Sequence, residues 1–309
     1  MNEIRVFAPA TVANVGSGFD VLGFALSDIG DIITVRKTDH LGLHIKSIEG
    51  ADNLPLDSKK NVSTVAAQAL LDSYSNTLDF GFEFELVKKV SAGSGMGSSA
   101  SSSAAAVMAV NELLGRPYSK TELVVFAMQG ELLASGTPHA DNVAPSLLGG
   151  FTLIQSYDPL RIIPLHYPKE LVATVVHPHI EVKTSDSKRI LRQHIPLKTA
   201  ITQWANVGGL VAGLAQENYA LIGHSLKDVV AEPTRSMLIP LYEQVKEMAH
   251  KNGALGCNIS GSGPSMFMLS QSLEIAHKLA DELRVMYSEE QLDCDVYVSN
   301  INPDGAILL

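Results

Sequence analysis

Apolar and polar residues alternate cleanly from Phe82 to Val87, with Phe82, Phe84 and Leu86 on one face, the period of a half-buried strand. Ile32–Arg36 and Leu41–Ile48 carry the same alternation, and Ile4–Phe7 reads as a short strand running into Pro9. Gly16, Ser17 and Gly18 mark a turn before the apolar segment Val21–Leu26. Further strands are predicted at Phe151–Gln155, Leu171–His177, Cys257–Ile259, Ser265–Leu269 and Asp295–Val298. The period changes to 3.6 over Asn61–Leu71, where Val62, Val65, Ala66 and Ala69 fall on one stripe. Ala100–Leu114 is a second helix, stopped by Gly115 and Pro117. Ser119 and Glu122 form a capping box for a third, reaching about Leu133, and Ser135–Pro145 follows as a polar loop. Ser187–Gln193, Thr199–Ala215, Leu238–Lys251 and Ile275–Tyr287 complete the predicted helices.

Strands dominate the first eighty residues and helices much of the remainder, which predicts an α+β fold rather than strict βαβ alternation. A chain of 309 residues accommodates two domains. The Pro-containing stretch Asp158–Pro168 is the expected boundary, giving residues 1–160 and 161–309.

Composition narrows the function. Apolar residues make up 46% and charged residues 18%, a globular balance. The net charge is −10 with no basic stripe, which argues against nucleic acid as a partner. No apolar run approaches the roughly 20 residues that cross a bilayer, so no membrane role is expected. The N-terminus MNEIRVF has no basic segment followed by an apolar stretch, and two cysteines, Cys257 and Cys294, make neither a disulfide framework nor a zinc pattern. A cytoplasmic protein is expected.

The strongest chemical signal is Gly93-Ser94-Gly95-Met96-Gly97-Ser98-Ser99-Ala100, between a predicted strand and a predicted helix. Glycines permit positive φ and close backbone approach. The helix start offers unpaired N–H groups and a positive dipole end to an anion. Three readings compete: a flexible turn, a dinucleotide fingerprint, and the phosphate loop of a kinase. A plain turn does not need so many Gly and Ser residues. Gly95-Met96-Gly97-Ser98-Ser99-Ala100 matches G-x-G-x-x-A, but Pro117 and a second helix stand where a Rossmann unit has its next strand. No Gly-Lys-Ser/Thr follows, so the loop is not a Walker A loop.

These residues resemble the nucleotide loop P-x-x-x-G-L-G-S-S-A of the galactokinase, homoserine kinase, mevalonate kinase and phosphomevalonate kinase (GHMP) superfamily, with Ser91 at the proline and Met96 at the leucine. Ala8-Pro9-Ala10 through Asn14, Gly18–Gly23 and Ser260–Ser265 resemble its other motifs. His139–Pro145, Leu148-Gly149-Gly150 and Ala231-Glu232-Pro233-Thr234-Arg235 are similar to segments of its homoserine kinases. The resemblance implies a two-domain fold, an N-terminal domain like domain 2 of ribosomal protein S5 and a ferredoxin-like C-terminal one. It implies ATP and Mg2+ as cofactors, L-homoserine as the small-molecule substrate and a homodimer.

By the same resemblance, Ser91, Gly93, Ser94, Gly95, Met96, Gly97, Ser98, Ser99 and Ala100 hold the phosphates, and Asn61 and Lys88 lie near the base. A loop serine and Glu131 bind the metal; the spacing from His139 favours Ser99 over Ser98, and both are retained. Asn14 and Asp20 face the substrate ammonium, His139 and Asn142 the reacting centre, and Arg235 the carboxylate. A second carboxylate contact is expected after Thr184, where Lys188 supplies charge without a guanidinium's planar fork and Arg189 is the alternative. Asp141 is expected to be structural rather than the base. Read without the resemblance, Asn61 is a helix cap, Asn14 and Asp20 are turn residues, and Glu131 and Arg235 are ordinary surface charges.

Overall fold

The computed structural model describes residues 2–51, 53–180, 182, 187 and 189–309. Two sheets carry the fold. The first has strands β1 (Glu3–Ala13), β2 (Leu22–Thr38), β3 (Leu43–Glu49), β4 (Gly81–Val87), β5 (Phe151–Tyr157), β6 (Leu160–Leu165) and β11 (Ile307–Leu308), in the order β11-β1-β2-β4-β3 with the β5–β6 hairpin attached to β2. β3 and β4 are parallel and are joined through helix α1 (Val62–Ser73). The helices α2 (Ser98–Leu113), α3 (Lys120–Ser135) and α4 (Val143–Leu148) pack with α1 on this sheet.

The second sheet has the order β10-β7-β9-β8, with β7 at Val172–Pro178, β8 at Gly256–Ile259, β9 at Met266–Ser270 and β10 at Cys294–Asn300. All its pairings are antiparallel. In sequence order this is fourth-first-third-second, the ferredoxin-like arrangement expected. Between β7 and β8 come α5 (Leu197–Ala215), α6 (Tyr219–Ser225), α7 (Glu232–Arg235), a 3-10 turn at Ser236–Leu238 and α8 (Tyr242–Lys251). α9 (Leu273–Glu289) joins β9 to β10. α8 and α9 cover one face of this sheet, and Val12, Phe24, Phe267 and Leu269 form a shared core between the two sheets.

Several expectations change. β1 does not stop at Pro9 but continues to Ala13 through a register shift between Pro9 and Thr11, the irregularity at which a proline is tolerated. Val21–Leu26 and Ile32–Arg36 belong to one 17-residue strand. The loop to Pro145 ends in α4, whose third residue is that proline; the missing N–H would have no intrahelical partner there. Asp158–Pro168 contains β6, which pairs with β5, so a division at residue 160 falls within this hairpin. The chain passes to the second sheet between Leu165 and Val172. The helix predicted at Ser187–Gln193 has left helical geometry by Ile190, where Ile190 and Leu191 are only half-buried. No described helix is long and apolar enough to cross a membrane.

Candidate active site

β4 runs into the Gly/Ser loop, and α2 rises from it. Gly93, Gly95 and Gly97 all have positive φ, at 75°, 80° and 68°. Two of them are also required sterically. A Cβ on Gly95 would lie 2.6 Å from the Ser260 carbonyl oxygen, and one on Gly97 only 2.1 Å from Thr11 Oγ1 and 2.9 Å from Asn142 Oδ1. Gly97 is the N-cap of α2 and, unlike the Asn61 cap of α1 and the Ser119 cap of α3, supplies no side chain to the first-turn amides. Among the described residues, the N–H groups of Gly95, Gly97, Ser98 and Ser99 meet no protein acceptor. They open instead towards a cavity of about 710 Å³ that this loop lines. Such a cradle of free amides at a helix start binds phosphate without net positive charge.

The loop is held from below and from the side. Asp31 on β2 pairs with the buried Lys88, whose ammonium also donates to Ser98 O (3.0 Å), Ser98 Oγ (2.9 Å) and Ser102 Oγ (2.7 Å). Burial pulls the Lys88 pKa down, opposed by Asp31 and Glu131. From the side, the second glycine turn, Ser260–Ser265, docks on the loop: Ser260 Oγ donates to Gly95 O at 2.7 Å and Ser265 N to Ser94 O at 3.2 Å. Gly261 N donates to Ala13 O at 3.1 Å. The C-terminal sheet therefore braces the glycine loop built by the N-terminal one.

A polar group gathers at Gly261. Asn14, with φ of 65°, donates through Nδ2 to Gly261 O at 2.7 Å and accepts from Asp20 N at 2.8 Å. Arg235 Nη1 donates to the same carbonyl at 3.0 Å, and its guanidinium lies 5.0 Å from the Phe19 ring centroid. Arg235 is only 5% exposed. Burial lowers its very high pKa, while Asp20, Asp228 and Asp141 favour the charge. His139 Nδ1 is 3.9 Å from Asp20 Oδ1. Asn142 accepts from Thr11 Oγ1 at 2.8 Å, which places it against Gly97, so phosphate loop and polar group meet there. Asp141 is buried, with Oδ1 unbonded, and its carboxyl is pushed up to about 7 by burial first, then by Asp20 and Glu131.

Asn14, Asp20, Asn61, Lys88, Gly93, Ser94, Gly95, Gly97, Ser98, Ser99, Glu131, His139, Asn142 and Arg235 all line this one cavity. Other expected residues do not. Met96 and Ala100 point into the core, Ser91 is exposed away from the cavity, and Arg189 is exposed outside its lining. Thr184 and Lys188 lie outside the described residues. Arg235 ends α7. Lys88 sits beneath the loop, bound to Asp31, rather than open to a base, and Asn61 is a satisfied cap, accepting from Ser63 N and donating to Pro55 O. Asp31, Ser102 and Thr11 join the site without having been assigned a role from sequence, and Gly261, part of the second glycine motif, turns out to be the shared acceptor. The signal for Asp31 was available: a carboxylate within the apolar run of a central strand needs a buried partner.

Residues 61–150 match the N-terminal domain of GHMP kinases, and residues 210–289 match their C-terminal domain. The chain belongs to the GHMP kinase family. A homoserine kinase of Chlorobium phaeobacteroides is 48% identical over 320 residues, covering 100% of both chains, and that of Chlorobaculum tepidum is 46% identical, covering 100% of this chain and 99% of its own. The crystal structure of homoserine kinase from Cytophaga hutchinsonii superposes with a TM-score of 0.96 at 49% identity, over 100% of this chain and 98% of that one. L. major mevalonate kinase, at 17% identity and a TM-score of 0.73 over 96% and 95% of the two chains, shares the GHMP kinase fold. The dinucleotide reading fails because α2 leads into α3, not a strand.

Proposed function

We propose that this GHMP kinase transfers the γ-phosphoryl group of ATP to the side-chain hydroxyl of L-homoserine, giving ADP and O-phospho-L-homoserine, a step towards threonine. The observation that carries the choice of acceptor is the buried Arg235 beside Asp20 and Asp141 in the cavity that holds the phosphate loop. That set suits a zwitterion with a hydroxyl. Guanidinium binds carboxylate, and the carboxylates with Asn14 bind ammonium. Mevalonate, which has no ammonium, would leave Asp20 and Asp141 uncompensated. The full-length identity to homoserine kinases points the same way.

Phosphoryl transfer depends on positioning and charge stabilisation more than on covalent help. The free amides of Gly95, Gly97, Ser98 and Ser99 take the phosphate oxygens, and the apolar wall of Leu54, Pro55, Val62 and Leu133 faces the nucleoside. Asn142, held by Thr11 against Gly97, orients the acceptor hydroxyl and cannot take its proton. That proton leaves late, towards the transferred phosphoryl group, as a loose transition state allows.

Glu131 and the loop serines fit magnesium, a hard cation that takes oxygen donors and keeps several waters. Ser98 is committed, donating to Val90 O at 2.7 Å and accepting from Lys88, whereas Ser99 makes no side-chain bond among the described residues. We therefore assign the ion to Ser99 and Glu131; when bound it neutralises charge on the phosphates. Two unpaired cysteines agree with a reducing cytoplasm, and the family implies a homodimer.

The test is ADP release measured with L-homoserine, with mevalonate and with no acceptor. Homoserine-dependent release alone is expected. Release that mevalonate stimulates more, or that no acceptor stimulates, overturns the assignment.

A further inference from the structure

Away from the cavity, the second sheet brings two histidines and a carboxylate together. His177 on β7 pairs directly with Asp295 on β10. His179 follows two residues later, held by its N–H on Asp293 O at 2.8 Å, one step beyond the end of β7. The three donor groups all lie within 4.8 Å of one another. His179 Nε2 is 3.0 Å and His177 Nδ1 4.0 Å from Asp295 Oδ2, and the two imidazole centroids are 5.8 Å apart. None of the three lines the active-site cavity.

We propose that His177, His179 and Asp295 bind one divalent transition-metal ion of the zinc class, with water completing its shell. A tetrahedral ion with bonds of about 2.0–2.1 Å spaces its donors about 3.3 Å apart. The observed 3.0 and 4.0 Å separations bracket that value, so small side-chain rotations suffice. His177 is buried, so packing on β7 already fixes the position of its imidazole. Tyr297, two residues beyond Asp295 on the same face of β10, interacts with that carboxylate, an outer neighbour of the kind that orients ligands. Two imidazoles with one carboxylate select zinc-like ions over magnesium, which demands oxygen donors. Val182, three residues after His179, lines the cavity, so the ion would pin the chain where it leaves β7 for the active site.

The test uses the full chain without an affinity tag, stripped with a chelator and titrated with ZnCl2 or CoCl2 in excess Mg2+. One ion per chain, a raised melting temperature and a tetrahedral cobalt absorption spectrum are expected. His179→Ala and Asp295→Asn, both at exposed positions, should weaken binding tenfold or more. His166→Ala, which breaks the exposed His166–Glu217 pair elsewhere, should leave it unchanged. Equal zinc uptake by all variants, no uptake, or displacement by Mg2+ overturns the site. These readouts do not depend on which acceptor the kinase phosphorylates.

Discussion

Lys88 and Asp31, 57 residues apart in sequence, form a buried ion pair beneath the first turn of α2. The pair is asymmetric. Asp31 also accepts from Lys89 N at 3.0 Å, Val90 N at 3.2 Å and Ser102 Oγ at 2.8 Å, so it stays well bonded without Lys88. Among the described residues, Asp31 is the carboxylate that Lys88 bonds directly, while Glu131 acts on it electrostatically. Asp31→Ala should therefore cost about 3–5 kcal/mol, the penalty of an uncompensated buried charge. Lys88→Met should cost less, about 1–3 kcal/mol. Denaturant midpoints at constant m-value measure both. A Lys88→Met loss equal to or above that of Asp31→Ala would show that the loop rests on the ammonium and not on the carboxylate.

The glycine loop makes a steric prediction. Gly95→Ala places a methyl group 2.6 Å from a backbone oxygen of the second glycine turn at φ of 80°, so neither the strain nor the clash can relax through a side chain. Strained positive φ costs about 1–3 kcal/mol. The two turns must separate, and the KM for ATP should rise about tenfold or more while the KM for homoserine changes less. Gly208→Ala is the control: nothing lies within 4 Å of its Cβ position on α5, and helix propensity predicts a gain of up to about 1 kcal/mol. Steady-state kinetics and thermal unfolding of the two variants decide the matter.

What sequence made legible was local. The Ser119–Glu122 capping box forms as expected because both bonds close within one turn. The glycines of the loop are legible because positive φ is their own property. The resemblance then named Asn14, Asp20, His139, Asn142 and Arg235, which the fold brings into one cavity. The seat of Lys88 is set by Asp31 on β2, with β3, α1 and β4 between them in sequence, a pairing that no local pattern encodes. Asp158–Pro168 reads as a domain boundary because Pro164 and its exposed neighbours hide the strand β6, which the hairpin with β5 alone defines. Pro145 misled in the same way, since a proline signals a break everywhere except in a first helical turn.

The two loop serines separate by their partners. Ser98→Ala removes hydroxyl bonds to Val90 O and Lys88 beneath the loop, so it should lower the melting temperature. Ser99→Ala removes a hydroxyl with no protein partner among the described residues and should leave stability within about 0.5 kcal/mol. Its effect belongs to the metal: the Mg2+ concentration for half-maximal rate should rise about tenfold, and Glu131→Gln should act in the same direction. A Ser98→Ala variant that alone shifts the Mg2+ dependence would exchange the two roles.

Asp141 supplies the pH signature. Its carboxyl rises from 3.8 to about 7, through burial first and then through Asp20 and Glu131. Between those values the folded state holds a proton that the unfolded state has lost. Stability is therefore full at low pH and falls as pH rises through the window, by on the order of 4 kcal/mol in total. Asp141→Asn removes the penalty, so the variant should melt above the parent at pH 8 and level with it near pH 4. The ionised carboxylate is also part of the field that holds the substrate ammonium. As pH falls through about 7, Asp141 takes up its proton and the KM for homoserine should rise; the Asp141→Asn profile should be flatter, at a uniformly higher KM. Because Asn142, and not Asp141, lies against Gly97 of the phosphate loop, kcat of the variant should stay within about tenfold of the parent at saturating homoserine. Turnover abolished with folding and both KM values intact would make Asp141 the general base and replace the late proton transfer proposed above.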